Sequence, residues 1–142
     1  MFHTIEAKQR ANDLSKTIIG AAIDVHRELG PGLLESAYES CLEHELKLRG
    51  LDVERQLGVP LNYKGLIIDN AYRIDLLVEG AVVLELKAVK ELEGIHETQT
   101  LTYLRLSQRW LGLLLNFNVR YLKNGLKRLI WDPDMGGPND LD

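Results

Sequence analysis

Residues 72–88 carry the pattern that most restricts this chain. The even positions Tyr72, Ile74, Leu76, Val78, Val82, Leu84, Leu86 and Ala88 are apolar or aromatic. The odd positions include Arg73, Asp75, Leu77, Val83, Glu85 and Lys87. Successive side chains of a strand point to opposite faces. The spacing therefore predicts two strands, about 71–78 and 82–88, joined around Glu79-Gly80-Ala81. One face packs on a core, and the charged residues of the strands share the other. A three-residue connection pairs Val78 with Val82, which sets Asp75 opposite Glu85 and Arg73 opposite Lys87.

That register places like charges against each other twice, and like charges directly opposite on a sheet destabilise it. A divalent cation reverses the sign for the carboxylates. Two carboxylates within ~5 Å suit Mg²⁺ or Mn²⁺, which take one or two carboxylates together with waters and phosphate oxygens. Lys87 would then stand beside the ion, able to hold a phosphate oxygen or an attacking water. The plainer alternative is a solvated face with scattered charges. On the helix expected at about 95–107, His96, Gln99 and Tyr103 share one side. Gln99 and Tyr103 could orient the lysine, a water or a phosphate; His96 reads better as a core-edge residue.

The rest of the chain predicts a mixed α/β domain with one sheet. Leu14, Ile18, Ala22, Val25 and Leu29 recur at spacings of three and four, so 13–29 is an amphipathic helix. Gly30-Pro31-Gly32 ends it. A second helix covers about 33–49, with Leu34, Tyr38, Cys41, Leu42, Glu45 and Leu46 along one side and Gly50 at its end. Cys41, the one cysteine, is then expected to be buried. Strands follow at 52–57 and 59–63, with turns at Lys64-Gly65 and Asp69-Asn70 around Leu66-Ile67-Ile68. Residues 110–117 read as a buried strand, and Asn124-Gly125 as a hairpin turn into a last strand, 126–131. Residues 1–131 are expected to form one domain and 132–142 a disordered tail.

Net charge is −4, which at first disfavours a nucleic-acid partner. Its distribution is more informative. Residues 1–97 hold 11 Lys/Arg against 17 Asp/Glu. Residues 98–131 hold Arg105, Arg109, Arg120, Lys123, Lys127 and Arg128 and no acid. Such a segment could track a phosphate backbone, or simply balance the acidic half. His3, His26, His44 and His96 are scattered without zinc-ligand spacing, and Gly30-Pro31-Gly32 lacks the end of a phosphate loop. His26 could cap helix carbonyls, and His44 is expected in solvent. The first residues lack the basic-then-apolar pattern of a signal peptide, and no apolar run approaches a membrane span. A cytoplasmic protein is expected.

Asp75, Glu85-Leu86-Lys87 and Gln99-x-x-x-Tyr103 resemble the PD-(D/E)XK nuclease superfamily, in particular its RecB-like branch with a Gln-x-x-x-Tyr helix. The N-terminal half resembles more narrowly the GxxExxY protein family, through Gly32-Leu33-Leu34-Glu35-Ser36-Ala37-Tyr38. The resemblance spans about 14–131. It implies a restriction-endonuclease-like core: a central mixed sheet flanked by helices, two of them N-terminal. It implies metal binding by Asp75 and Glu85, helped by the backbone carbonyl of Leu86 and by Glu35. Lys87 takes the catalytic-lysine position, and Gln99 and Tyr103 fill the helix motif. Ile74 stands where the superfamily name has proline.

Two functions follow as expectations. One is an Mg²⁺-dependent phosphodiesterase acting on DNA, or on RNA, with the basic segment on the backbone. The other is a catalytically silent binding or assembly protein of the same fold, acting with a protein partner or as a homodimer.

Overall fold

The computed structural model describes residues 3–135. Among these, five strands form one sheet: β1 (Val53–Tyr63), β2 (Leu66–Val78), β3 (Val82–Lys87), β4 (Leu111–Asn116) and β5 (Leu126–Ile130), in that order across it. β3 and β4 are parallel and the other neighbours antiparallel. A parallel pair needs a crossover, and the helix α3 (Gly94–Ser107) supplies it. Two helices, α1 (Ile5–Leu29) and α2 (Glu35–Leu48), precede the sheet. The architecture is the mixed α/β fold expected from the strand and helix patterns.

Both sheet faces are covered. Ile18, Ala22 and Val25 of α1 and Tyr38, Leu42 and Leu46 of α2 pack on Leu76, Val78, Val82, Leu84, Leu86, Leu113 and Leu115. Across the sheet, Leu104 of α3 packs on Val59, Ile74, Leu77 and Val83. A Leu or Val buried this fully stabilises by about 1.5–3 kcal/mol. α3 lies close because β4 offers Gly112 beneath it. A Cβ there would meet Leu104 at 3.2 Å and Thr100 at 3.3 Å. Among the described residues no helix is long and apolar enough to cross a membrane.

The predicted pairing of Val78 with Val82 is formed, and Gly30 ends α1, its N–H bonded to the His26 carbonyl. Other expectations are corrected. α1 begins at Ile5, capped by the Thr4 hydroxyl accepting from the Ala7 N–H. Ala11 continues the buried stripe there, and alanine carries little apolar signal. Asp69-Asn70 is not a turn: β2 is continuous, and its register on β1 shifts between Val59 and Leu61. Asn70 takes the left-handed conformation (φ 54°), which asparagine tolerates, so its turn chemistry makes a bulge. The opposing residue is Pro60, which has no N–H to give the ladder. Asn124-Gly125 ends a 3-10 turn, Leu122–Gly125, rather than a two-residue hairpin.

The buried side of α2 is Tyr38, Glu39, Leu42 and Leu46, which leaves Cys41 exposed. His26 reaches across to the Val119 carbonyl at 2.7 Å instead of capping its own helix. His44 is exposed. Asp132 is buried and paired with Lys8 at 2.7 Å. The tail expected over 132–142 thus begins with a buried, paired residue and a 3-10 turn, Pro133–Met135, and from residue 136 on it lies outside the described residues.

Candidate metal centre

The β2–β3 ladder runs from Val78↔Val82 to Leu76↔Leu84 and goes no further. Asp75 and Glu85 are next in register but form no rung. Their carboxylates bond to main chain instead. The Asp75 N–H donates to Glu85 Oε2 at 3.1 Å, and the Leu86 N–H donates to Asp75 Oδ2 at 2.9 Å. Two facing carboxylates repel, and here each accepts from a backbone N–H beyond the last rung. Arg73 consequently sits opposite Gly58 of β1, not opposite Lys87, which sits beside Asn116 of β4. The core face of β2 also changes here: Leu76 packs towards α1 and α2, and Ile74 towards α3.

Glu85 is 4% exposed. Burial first, and then the charge and hydrogen bond of Asp75, push its carboxyl up to about 9. Desolvation disfavours the charged form, and a like charge beside it does the same. Lys87 acts in the other direction on Glu85.

Three elements converge on this pair. Glu35 opens α2, and its carboxyl is raised chiefly by burial, with Lys87 lowering it and Asp75 and Glu39 raising it further. Tyr103 reaches in from α3. Its phenol is raised by burial and by the charges of Glu85 and Asp75, and its ring lies 5.7 Å from that of Tyr72. Gln99, one turn earlier on α3, is exposed. His96 closes a capping box with Glu93, whose N–H donates to His96 Nδ1 at 2.9 Å. The pattern-based reading missed two polar residues here. Glu39 is buried, only 6% exposed. Gln56 Nε2 donates to Glu39 Oε1 at 2.6 Å and to Asp75 Oδ1 at 3.3 Å. The repeat Glu35-x-x-x-Glu39 on one helix side was the signal that could have found the first; Gln56 left none in the alternation.

A sequence model of the PD-(D/E)XK nuclease superfamily matches residues 12–129. The chain belongs to this superfamily. No curated protein and no solved structure matches it. The residue before Asp75, where the superfamily name has proline, is the fully buried Ile74.

Nucleases of this superfamily generally use divalent metals. Among the described residues, no group of three or more His, Cys, Asp and Glu is arranged to hold an ion. What the chain does offer is an all-oxygen set. Asp75 and Glu85 are in direct contact, and the Leu86 carbonyl leaves its strand on the same side as the N–H that meets Asp75. Hard cations favour oxygen donors, and a cation would offset both the burial and the neighbouring Asp75 charge that raise Glu85. The set could hold such an ion.

The six basic residues of 98–131 do not form one surface. Arg109 is part-buried and donates to the Gly80 and Ser107 carbonyls. Burial pulls its guanidinium down, with Glu54 opposing. Arg128 donates to Asn12 and Ser15 and lies over Trp110. Lys127 pairs with Glu97 at 2.9 Å. Arg105 is on the last turn of α3. Arg120 and Lys123, with Arg27, line a cavity of about 490 Å³. That cavity lies between the C-terminal turns of α1 and the segment after β4, where His26 Nε2 donates to the Val119 carbonyl.

Proposed function

We propose that this nuclease-superfamily chain hydrolyses phosphodiester bonds in DNA, using Mg²⁺ or Mn²⁺, with RNA the second substrate to test. The observation that carries the reading is the opened ladder. A sheet gives up a rung to bring Asp75 and Glu85 into contact. Asp75, Glu85, the Leu86 carbonyl and Glu35 would hold the cation. When bound, it supplies Lewis-acid polarisation of the phosphate and a more acidic water.

The chain's own residues do the rest. Lys87, close enough to bias both Glu35 and Glu85, holds a phosphate oxygen and stabilises the charge that builds on it. Tyr103 and Gln99 orient Lys87 or the phosphate. Arg120 and Lys123, at the cavity beside the end of α1, contact the backbone and contribute affinity without base specificity. Cleavage of plasmid DNA by the purified protein, dependent on added Mg²⁺ or Mn²⁺, tests the reading. Lys87→Ala should melt like the wild type and cut nothing; undiminished cleavage by Lys87→Ala would sink the assignment.

A second reading, a silent member of the fold that acts with a protein partner or a second copy, is favoured by the hairpin of β1 and β2. Tyr63, Leu66 and Ile67 there are each about 60% exposed (62%, 60% and 61%). A stable complex together with no response to metal would decide for it.

A further inference from the structure

Gln56 is the residue whose position the fold alone does not explain. Adjacent residues of a strand point to opposite faces. Arg55 and Gln56 nevertheless both reach Glu39 of α2, Arg55 Nε at 3.5 Å and Gln56 Nε2 at 2.6 Å. The alternation fails because Gln56 has φ 54°, a left-handed conformation that is strained in a residue with a side chain. The rungs on either side are regular: Arg55 pairs with Leu76 and Leu57 with Ile74. The distortion is thus one residue long, and the residue across from it is Asp75. Backbone strain of this kind persists where surrounding structure over-determines it, and it clusters at functional sites.

What the strain achieves is visible at Asp75. Gln56 Nε2 donates to Asp75 Oδ1 at 3.3 Å, and the Leu86 N–H donates to Oδ2 at 2.9 Å. The carboxylate is held at both oxygens, with lone pairs to spare on each. Glu39 anchors the amide from the other side, and Arg55 in turn holds Glu39 and Glu43. The chemistry of the residue type matters. An amide NH₂ has two hydrogens and can serve two carboxylates at once. It is neutral, so it orients Asp75 without cancelling the charge that would attract a cation. An arginine or lysine in its place would orient Asp75 and compete with the ion.

We propose that Gln56 is a positioning residue, which a strained backbone spends on fixing the Asp75 carboxylate, through the relay Arg55–Glu39–Gln56–Asp75, in the orientation that receives a divalent cation. The inference rests on the metal-site reading above and goes beyond it, since neither the superfamily motif nor the alternation of the strands includes Gln56 or Glu39.

The test uses the full chain and Gln56→Gly, with Gln56→Leu beside it. Glycine accepts the left-handed conformation freely, so relief of strain offsets the lost hydrogen bonds and Gln56→Gly should melt within a few degrees of the wild type. Two readouts follow. In metal-free protein, hydrogen exchange of the Leu86 amide reports whether Asp75 still accepts from it; both variants should lose protection there and keep it at Leu84. In calorimetric titration with Mn²⁺, both should bind about tenfold to a hundredfold more weakly than the wild type, the usual effect of removing the partner of a metal ligand. Wild-type protection at Leu86, or wild-type Mn²⁺ affinity, in both variants would overturn the proposal. If the wild type itself binds no Mn²⁺, the metal-site reading fails, and the Leu86 amide alone still decides whether Gln56 positions Asp75.

Discussion

The Asp75 N–H donates to Glu85 Oε2 at 3.1 Å, one step beyond the last rung between β2 and β3. One bond satisfies the Asp75 amide, and at the same time it holds two acidic groups together under the cover of α3. Burial and the neighbouring charge then raise Glu85 to about 9. Its folded-state value lies above its unfolded one, so the folded state holds a proton that the unfolded state has released. The associated stability is fully present below the unfolded value of 4.5 and is lost as pH rises through about 9. In buffer with a chelator, the melting temperature should fall between about pH 5 and about pH 9. Glu85→Gln, which cannot ionise, should flatten that profile. Thermal unfolding across the range checks both; an unchanged slope in Glu85→Gln would show that Glu85 is not the group.

Glu35 bears on Asp75 through charge, whereas Glu85 is hydrogen-bonded to the Asp75 N–H. Its removal should matter less. Glu35→Gln is expected to lower the cleavage rate about tenfold to a hundredfold, the range for groups that support a metal site. Asp75→Asn should abolish it. Single-turnover rates on one DNA substrate separate the two; equal losses would place Glu35 on the same footing as the pair.

Tyr38 ties the loop between α1 and α2 to the core. Its ring stacks on Phe117 at 4.7 Å. Its hydroxyl donates to the Gly30 carbonyl at 2.6 Å and accepts from the Leu33 N–H at 3.1 Å. Tyr38→Phe keeps the stack and loses both bonds in a buried setting, so a loss of about 1–3 kcal/mol is expected. Because the loop leads directly into Glu35, metal affinity should fall as well. Denaturant unfolding and Mn²⁺ titration of the same sample check the two effects.

Gly112 shows how little room separates α3 from the sheet. Gly112→Val would press into Leu104 and Thr100, and overpacking of this kind costs about 1–3 kcal/mol. Since α3 also carries Tyr103, cleavage should fall even where the variant remains folded. A variant as stable as the wild type would mean that α3 shifts freely, contrary to the packing described.

Much of this was legible in the sequence because period-two alternation is a strong signal. Val78 and Val82 pair as the count from Glu79-Gly80-Ala81 requires, and that count brings Asp75 and Glu85 together. What the count misjudged is the rung itself, because alternation describes faces and not what two facing carboxylates do to the ladder. The first two turns of α1 escape the pattern since their buried apolar residue is Ala11, which packs without much hydrophobicity. Cys41 was placed on the wrong side of α2 because the apolar residue Leu34 drew the predicted face round, whereas Leu34 is 78% exposed and the buried side includes Glu39. Asn70 carried a turn signal that the fold used for a bulge. Gln56 carried no signal, because a positive φ on a non-glycine residue is dictated by tertiary contacts.

The central claim is that Asp75 and Glu85 meet in order to hold a divalent cation. Isothermal titration of the wild type and of Asp75→Asn with Mn²⁺, near neutral pH, tests it most directly. One saturable site in the wild type, lost in Asp75→Asn while the variant still unfolds cooperatively, is the expected result. No saturable binding in the wild type, or equal binding in the two proteins, would contradict the assignment.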